Sequence, residues 1–277
     1  MNALELKIWL GDRQARPLVM GILNVTPDSF SDGGEFMSMD DAIRQARQMI
    51  EQGADLLDIG GESTRPGADR VAADAQIARV VAVIREIRRV SQVVISIDTT
   101  LSAVAEAACD AGAGLINDIS AGREDAGMLG LAARRNVPIV LMHMLGVPGT
   151  MQQDPIYQDV TGEVCRFLRD RAAAALAAGV PADHILIDPG IGFGKNMEHN
   201  LQLLHDLPQI GSLGYKVVLG TSRKRFIGTI TGVEKPQDRV FGSTATVAWG
   251  VTNQVAVVRV HDVGPTVQTI KMLRAII

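Results

Sequence analysis

The chain has 277 residues, enough for one large α/β domain or two ordinary ones, and 47% of them are hydrophobic. Lysine and arginine number 27 against 31 aspartates and glutamates, for a net charge of −4 and a pI near 5.7. Composition therefore gives no general electrostatic attraction to nucleic acid or to a membrane surface, and any anion site has to be local.

In chain order, Leu4 to Leu10 and Arg13 to Pro17 around Gly11-Asp12 read as a β-hairpin ahead of the first long apolar run. A unit then repeats: a short apolar run, a polar or Gly-rich loop, an amphipathic helix. The runs are Leu18–Leu23, Leu56–Ile59, Val93–Ile97, Leu115–Ile116, Ile139–Met142, Ile185–Ile187, Val217–Leu219 and Val255–Val260. They are short and rich in β-branched residues, as parallel strands covered on both faces should be. Between them, Ser38 to Gly53 carries a capping-box pattern (Ser38, Asp41), an apolar stripe at Ile43, Ala46 and Ile50, and a glycine stop. Asp74 to Arg89 places Ile77, Val80, Val81, Ile84 and Ile87 at helical spacing, and Arg171 to Ala178 ends at Gly179 with Pro181 beyond. Eight strands alternating with helices predict a (β/α)8 TIM barrel formed by the whole chain, 1–277, as one domain, its floor plugged by the N-terminal hairpin; a doubly wound open sheet is the alternative. No run approaches about 18 apolar residues and no leader-like segment opens the chain. Cys109 and Cys165 lack metal or disulfide spacing and read as buried free thiols in a reducing compartment. The expectation is a soluble, cytoplasmic protein.

Barrel chemistry sits at the carboxyl ends of the strands. Those ends deliver Asn24, the Glu62-Ser63-Thr64-Arg65 loop, Asp98, Asn117, Met142-His143, Asp188, Ser222-Arg223-Lys224 and Arg259-Val260-His261. Asp188 opens a loop with three glycines and Phe193, shaped for something flat or anionic. Asp98, Asp188 and Asn117 together suit a planar heterocycle with several ring N–H donors, although an aspartate in this place also caps helices. Arg259, His261, Asn24 and Thr64 fall on adjacent strands and suit phosphate oxygens, with Asn24 offering an oxygen to a hard cation such as Mg2+. Arg259 and His261 have an ion pair with Asp262 as their plainer reading. Ser222 is expected to begin a helix whose N-terminus takes an anion, with simple capping as the alternative. His143 reads more readily as a packed histidine than as a ligand. Gly190 to Lys195 is neither a P-loop nor a dinucleotide fingerprint, since Pro189, Lys195 and Asn196 stand at the wrong positions.

The stretch Gly21-Ile22-Leu23-Asn24-Val25-Thr26-Pro27-Asp28-Ser29-Phe30-Ser31-Asp32-Gly33-Gly34, followed by Asp58-Ile59-Gly60-Gly61-Glu62-Ser63-Thr64-Arg65-Pro66-Gly67, resembles the dihydropteroate synthases of folate biosynthesis, the sulfonamide targets. Ser96–Thr99, Asn117–Ser120, Leu141–Met144, the Asp188 loop, Thr221–Lys224 and Arg259–His261 continue the resemblance in order. It implies a transferase joining a pterin-methyl diphosphate to 4-aminobenzoate, with Mg2+ as cofactor and a homodimer through helices late in the chain. It further implies that Asp98, Asn117, Met142, Asp188 and Lys224 hold the pterin, with Asp98, Lys224 and Arg259 central to the chemistry. Asn24, Thr64, Arg259 and His261 would meet the diphosphate, Asn24 also the metal. Phe30, Arg65, Pro66, Phe193 and Ser222 would line the aminobenzoate site. A catalytically inactive pterin-binding paralogue and a folate-dependent methyltransferase are the alternatives.

Overall fold

Each apolar run becomes a strand: β1 Leu18–Asn24, β2 Leu56–Gly60, β3 Val94–Asp98, β4 Leu115–Asp118, β5 Ile139–Met142, β6 Ile185–Asp188, β7 Lys216–Leu219 and β8 Val257–Val260. The structure, a computed structural model, describes residues 1–12, 14–25, 39–63, 70–146, 149, 151 and 154–277. Among the described residues, eight parallel strands pair in chain order and close, β8 returning to β1 from Leu18↔Val257 to Gly21↔Val260. That last pairing excludes the open sheet. The outer ring comprises α2 Met39–Glu51, α3 Ala73–Val90, α4 Ser102–Ala111, α5 Gly127–Arg135, α6 Val160–Ala177, α7 Met197–His205, α8 Leu207–Gly211, α9 Arg225–Thr231, α10 Val240–Thr252 and α11 Val263–Ile276.

The helices follow the apolar spacing with local shifts. In α3, Val80, Val83, Ile84 and Ile87 are buried, close to the predicted stripe. In α2 the fully buried face is Ala42, Ala46 and Met49, so Ile43 and Ile50 lie at its margin. Gly53 stops that helix with φ +100°, a conformation glycine adopts at little cost. Ser38 lies outside the described residues.

The predicted N-terminal hairpin does not form. Ala3–Gly11 is a helix, α1, closed by a capping box in which Asn2 Oδ1 accepts from Glu5 N (3.0 Å) and the Glu5 carboxylate accepts from Asn2 N (2.8 Å). Leu6, Trp9 and Leu10, spaced three and four apart, fall on one helical face. They enter a single apolar cluster with Leu18, Met20, Leu56, Val94, Leu115, Val140, Leu186, Val218 and Val257. The barrel floor is thus plugged as expected, by a helix. Trp9 Nε1 donates to the Arg16 carbonyl at 2.8 Å, and Lys216 Nζ stands 4.3 Å from the centre of its ring.

Candidate active site

The floor cluster fixes which side chains face the mouth. Strand side chains alternate faces with period two, so two steps on from Leu56, Val94, Leu115, Val140, Leu186 and Val257 stand Asp58, Ser96, Asn117, Met142, Asp188 and Arg259. On β3, Asp98 stands two residues beyond Ser96 and on the same face. Pairing aligns Asn24, Gly60, Asp98 and Asn117 at one level, and Met142 with Asp188. Sequence position alone brought these residues to one rim; the register makes them neighbours.

Arg259 ties the layers together. Its Nε donates to Asp58 Oδ2 and its terminal nitrogen to Asp98 Oδ2, both at 2.6 Å. Asn117 Nδ2 donates to the same Asp58 oxygen at 3.0 Å. Asp58, which the sequence reading did not single out, is fully buried, and its Oδ1 and the Ser96 hydroxyl lack protein partners among the described residues. Arg259 does not pair with Asp262, which instead takes two bonds from Arg223 at 3.0 and 2.6 Å. Neither candidate aspartate caps a helix: α4 begins at Ser102 after Leu101, and α7 is capped by Asn196.

Burial is the main force on the charges here. It pushes Asp98 up to about 7 against the pull of Arg259, with Asp58, Asp118 and Glu62 adding to the rise. Asp188 rises to about 6, again through burial, opposed by the Gly190 amide and by Lys224, Arg259 and Lys195. Lys224 falls to about 8 through burial and the Arg259 charge, while Asp188 and Asp98 counter the fall. Arg259, held between carboxylates, moves upward despite its burial. Two carboxylates that protonate near neutrality, beside a lysine that deprotonates near it, form a site poised to exchange hydrogen-bonding roles with a polar ring.

The loop after β6 is drawn tightly against β5. Gly190 N donates to Asp188 Oδ1 at 2.7 Å. Gly190 and Gly194 take φ of +67° and +63°, and a Cβ on either would meet the His143 or Leu145 carbonyl at 1.9 or 2.5 Å. Only glycine fits such an approach. Phe193 is half-buried against Met142 and Met144, and Lys224 Nζ sits 4.2 Å from the centre of its ring. His143 is a packed residue, its ring edge-on to Phe167 at 4.8 Å. Burial and the Lys195 charge hold it down to about 2, and so neutral.

Ser222 does not begin a helix: α9 starts at Arg225 with Lys224 as its cap residue, and Arg223 intervenes with φ +60°. The Ser222 hydroxyl faces β8, accepting from the His261 amide at 3.1 Å, with His261 Nδ1 also at 3.1 Å. It reaches the rim beside His261, without a helix end behind it. Phe30, Thr64, Arg65 and Pro66 lie outside the described residues.

Among the described residues, no group of three or more His, Cys, Asp and Glu is placed to hold a metal ion. Above Gly60, however, an ideal Cβ would lie 3.5 Å from Asn24 Oδ1 and 3.8 Å from Asp98 Oδ2. Asn24 Oδ1 is a hard oxygen that suits a cation drawing the rest of its shell from water and ligand phosphates, while Asp98 Oδ2 beside it accepts from Arg259.

A family described as pterin binding enzyme matches residues 20–261. The dihydropteroate synthase of a Synechocystis strain is 44% identical over 267 residues, 96% of this chain and 92% of that protein. Among solved structures, Yersinia pestis dihydropteroate synthase in a sulfonamide drug complex superposes with a TM-score of 0.91 at 43% identity, covering 96% and 95% of the two chains. The Xanthomonas albilineans enzyme in complex with 7,8-dihydropteroate gives 0.85 at 43% identity, covering 94% of each. With a closed barrel and this rim already in place, matches of that length and identity establish that the chain belongs to the dihydropteroate synthase family.

Proposed function

We infer that this chain is a transferase of folate biosynthesis that condenses 6-hydroxymethyl-7,8-dihydropterin diphosphate with 4-aminobenzoate, giving 7,8-dihydropteroate and pyrophosphate. One observation carries the reading. Asp98, Asn117, Asp188 and Lys224 converge beside Arg259 at one barrel mouth, in a chain similar along its length to an enzyme solved with 7,8-dihydropteroate. The carboxylates and Asn117 match the N–H and ring-nitrogen edge of a pterin, with Met142 against its face and Lys224 reaching an acceptor. Arg259 and His261, with Asn24 and Thr64, take the diphosphate; Ser222 and Phe193, with Phe30, Arg65 and Pro66, take the aminobenzoate. A sulfonamide would compete for that second subsite.

The bond from the pterin methylene to the diphosphate oxygen breaks first, its electron pair leaving with pyrophosphate. Arg259 meets the developing negative charge. Asn24 would hold a Mg2+ through its amide oxygen, and the cation when bound supplies further neutralisation of the leaving group. Asp98 stabilises the cation left on the pterin methylene, and the amine lone pair of aminobenzoate closes the new C–N bond before losing a proton to solvent. An arylamine is unprotonated near neutral pH, so the path needs no strong general base. The protein works in the cytoplasm as a homodimer. Among the described residues no helix is long and apolar enough to cross a membrane, and α9 to α11 present exposed Ile230, Phe241, Trp249 and Met272.

The test follows pyrophosphate and dihydropteroate together, with and without Mg2+ and 4-aminobenzoate. Equal amounts of both products, lost without Mg2+, are expected. Tight pterin binding with neither product would instead mark an inactive pterin-binding paralogue.

A further inference from the structure

The loop between β6 and α7 contains a cation for which the proposed chemistry has no use. Lys195 is 2% exposed. Its Nζ donates to the carbonyls of Gly190 and Phe193, each at 2.9 Å, and has His143 Nδ1 at 2.9 Å. The His143 ring is neutral, so with its proton on Nε2 these three close partners are all acceptors, and the His143 carbonyl is a longer fourth at 3.5 Å. An ammonium has three N–H groups and saturates them; a neutral amine has only two. Burial draws Lys195 down to about 7 while Asp188 opposes the fall, and the acceptor count favours the charged form.

Each acceptor adjoins a residue of the site. Gly190 also gives its amide to Asp188 Oδ1 at 2.7 Å. Phe193 carries the ring beneath Lys224. His143 follows Met142, and its amide donates to the Asp188 carbonyl at 2.9 Å. Asn200 and Tyr157 hold the rest of the loop through the Gly192 amide and the Gly194 carbonyl. Without Lys195, two carbonyls and an imidazole nitrogen would crowd together, buried and short of a donor.

We propose that Lys195 is a positioning residue of the synthase: it pins the β6–α7 loop so that Asp188 and Phe193 meet the pterin and the aminobenzoate, and its charge stands behind the Asp188 carboxylate. The proposal rests on the synthase reading and deepens it. The other charges facing Asp188 are Lys224 and Arg259. Both belong to the substrate pockets, whereas Lys195 is sealed behind the loop and acts through it and through its charge on Asp188.

Lys195→Met keeps the side-chain length and removes the charge. Its affinity for 6-hydroxymethyl-7,8-dihydropterin, measured by calorimetry, should weaken about tenfold or more, the effect of losing a buried charge-assisted bond. The acid limb of that affinity should move to higher pH, and the KM for aminobenzoate should rise through Phe193. Lys195→Arg retains the charge and should retain the acid limb. Wild-type pterin affinity and acid limb in Lys195→Met, with loss confined to melting temperature, would overturn the proposal. A measurement on the unaltered protein needs no variant to fold: its 15N spectrum should place the His143 ring proton on Nε2, and a proton on Nδ1 would remove the third acceptor and overturn it equally. Wild-type turnover is followed alongside. Pterin binding without dihydropteroate would sink the synthase reading while leaving the pterin arm to judge Lys195.

Discussion

A carboxylate at Asp98 is pulled two ways: burial favours its neutral form, while Arg259 at 2.6 Å favours the charged one. The cation proposed on the pterin methylene would add to the second pull only in the transition state, which is how a group raises turnover rather than affinity. Asp98→Asn should therefore cut kcat by about 100-fold or more while pterin affinity, measured separately, falls much less; equal losses would remove the cation-stabilising role. The same carboxylates set a pH dependence. Protonation turns an acceptor of pterin N–H groups into a competing donor, and protons bind as pH falls through about 7 at Asp98 and about 6 at Asp188. Affinity for 6-hydroxymethyl-7,8-dihydropterin should be greatest between about pH 7 and 8, where Lys224 is still charged, and weaken as pH drops through that window, by calorimetry; a flat profile down to about pH 5, below both values, would contradict it. Beneath them, Asp58 accepts from Arg259 and Asn117 with one oxygen. Asp58→Ala takes an acceptor from a half-buried guanidinium, which keeps Asp98, and from a buried amide, and should lower the unfolding free energy by about 2 kcal/mol in urea titrations. Asp98, Asn117 and Asp188 were legible because each ends an apolar run. Asp58 was not, lying inside one, although period-two alternation from Leu56 does point it into the barrel.

At the scale of elements, the strands were legible because burial on both faces leaves a short apolar run that little else in a soluble chain imitates. Boundaries moved where polar residues continue a strand, as at Asn117-Asp118, or where a run begins before pairing does, as at Val255. The N-terminus misleads because Gly11-Asp12 looks like a turn between strands. The signal for a helix is present in the Asn2–Glu5 cap and the spacing of Leu6, Trp9 and Leu10. Ser222 escapes for another reason: its surroundings are set by β8, distant in sequence, and no local signal reports a hydroxyl turned toward His261. Floor and mouth are opposite ends of one barrel, so they should respond separately. Trp9→Ala removes a buried ring from the floor cluster and should lower the unfolding free energy by about 3 kcal/mol, with pterin affinity unchanged in the folded protein. A parallel loss of affinity would show that α1 sets the rim as well as the floor.

For the whole molecule, the distribution of apolar surface raises a question that the barrel itself does not answer. The interior is closed at the floor by α1 and around its sides by the helix ring, yet α9, α10 and α11, packed side by side, leave Ile230, Phe241, Trp249 and Met272 in water, Phe241 at 85% exposure. Apolar side chains gathered on consecutive helices mark an association surface more often than chance. The homodimer proposed above would seat a second copy of the chain on this surface under twofold symmetry, each Phe241 facing the same patch on its partner. Phe241→Glu places a charge where that interface needs an apolar ring, and desolvating it unpaired costs several kcal/mol. Sedimentation should find the wild-type protein at twice the chain mass and Phe241→Glu at the single mass at micromolar concentration. The substituted side chain points to solvent in the monomer, so melting of the isolated barrel should change little and the pterin site should keep its affinity. A wild-type monomer, or a Phe241→Glu dimer of undiminished stability, would place these helices outside any interface.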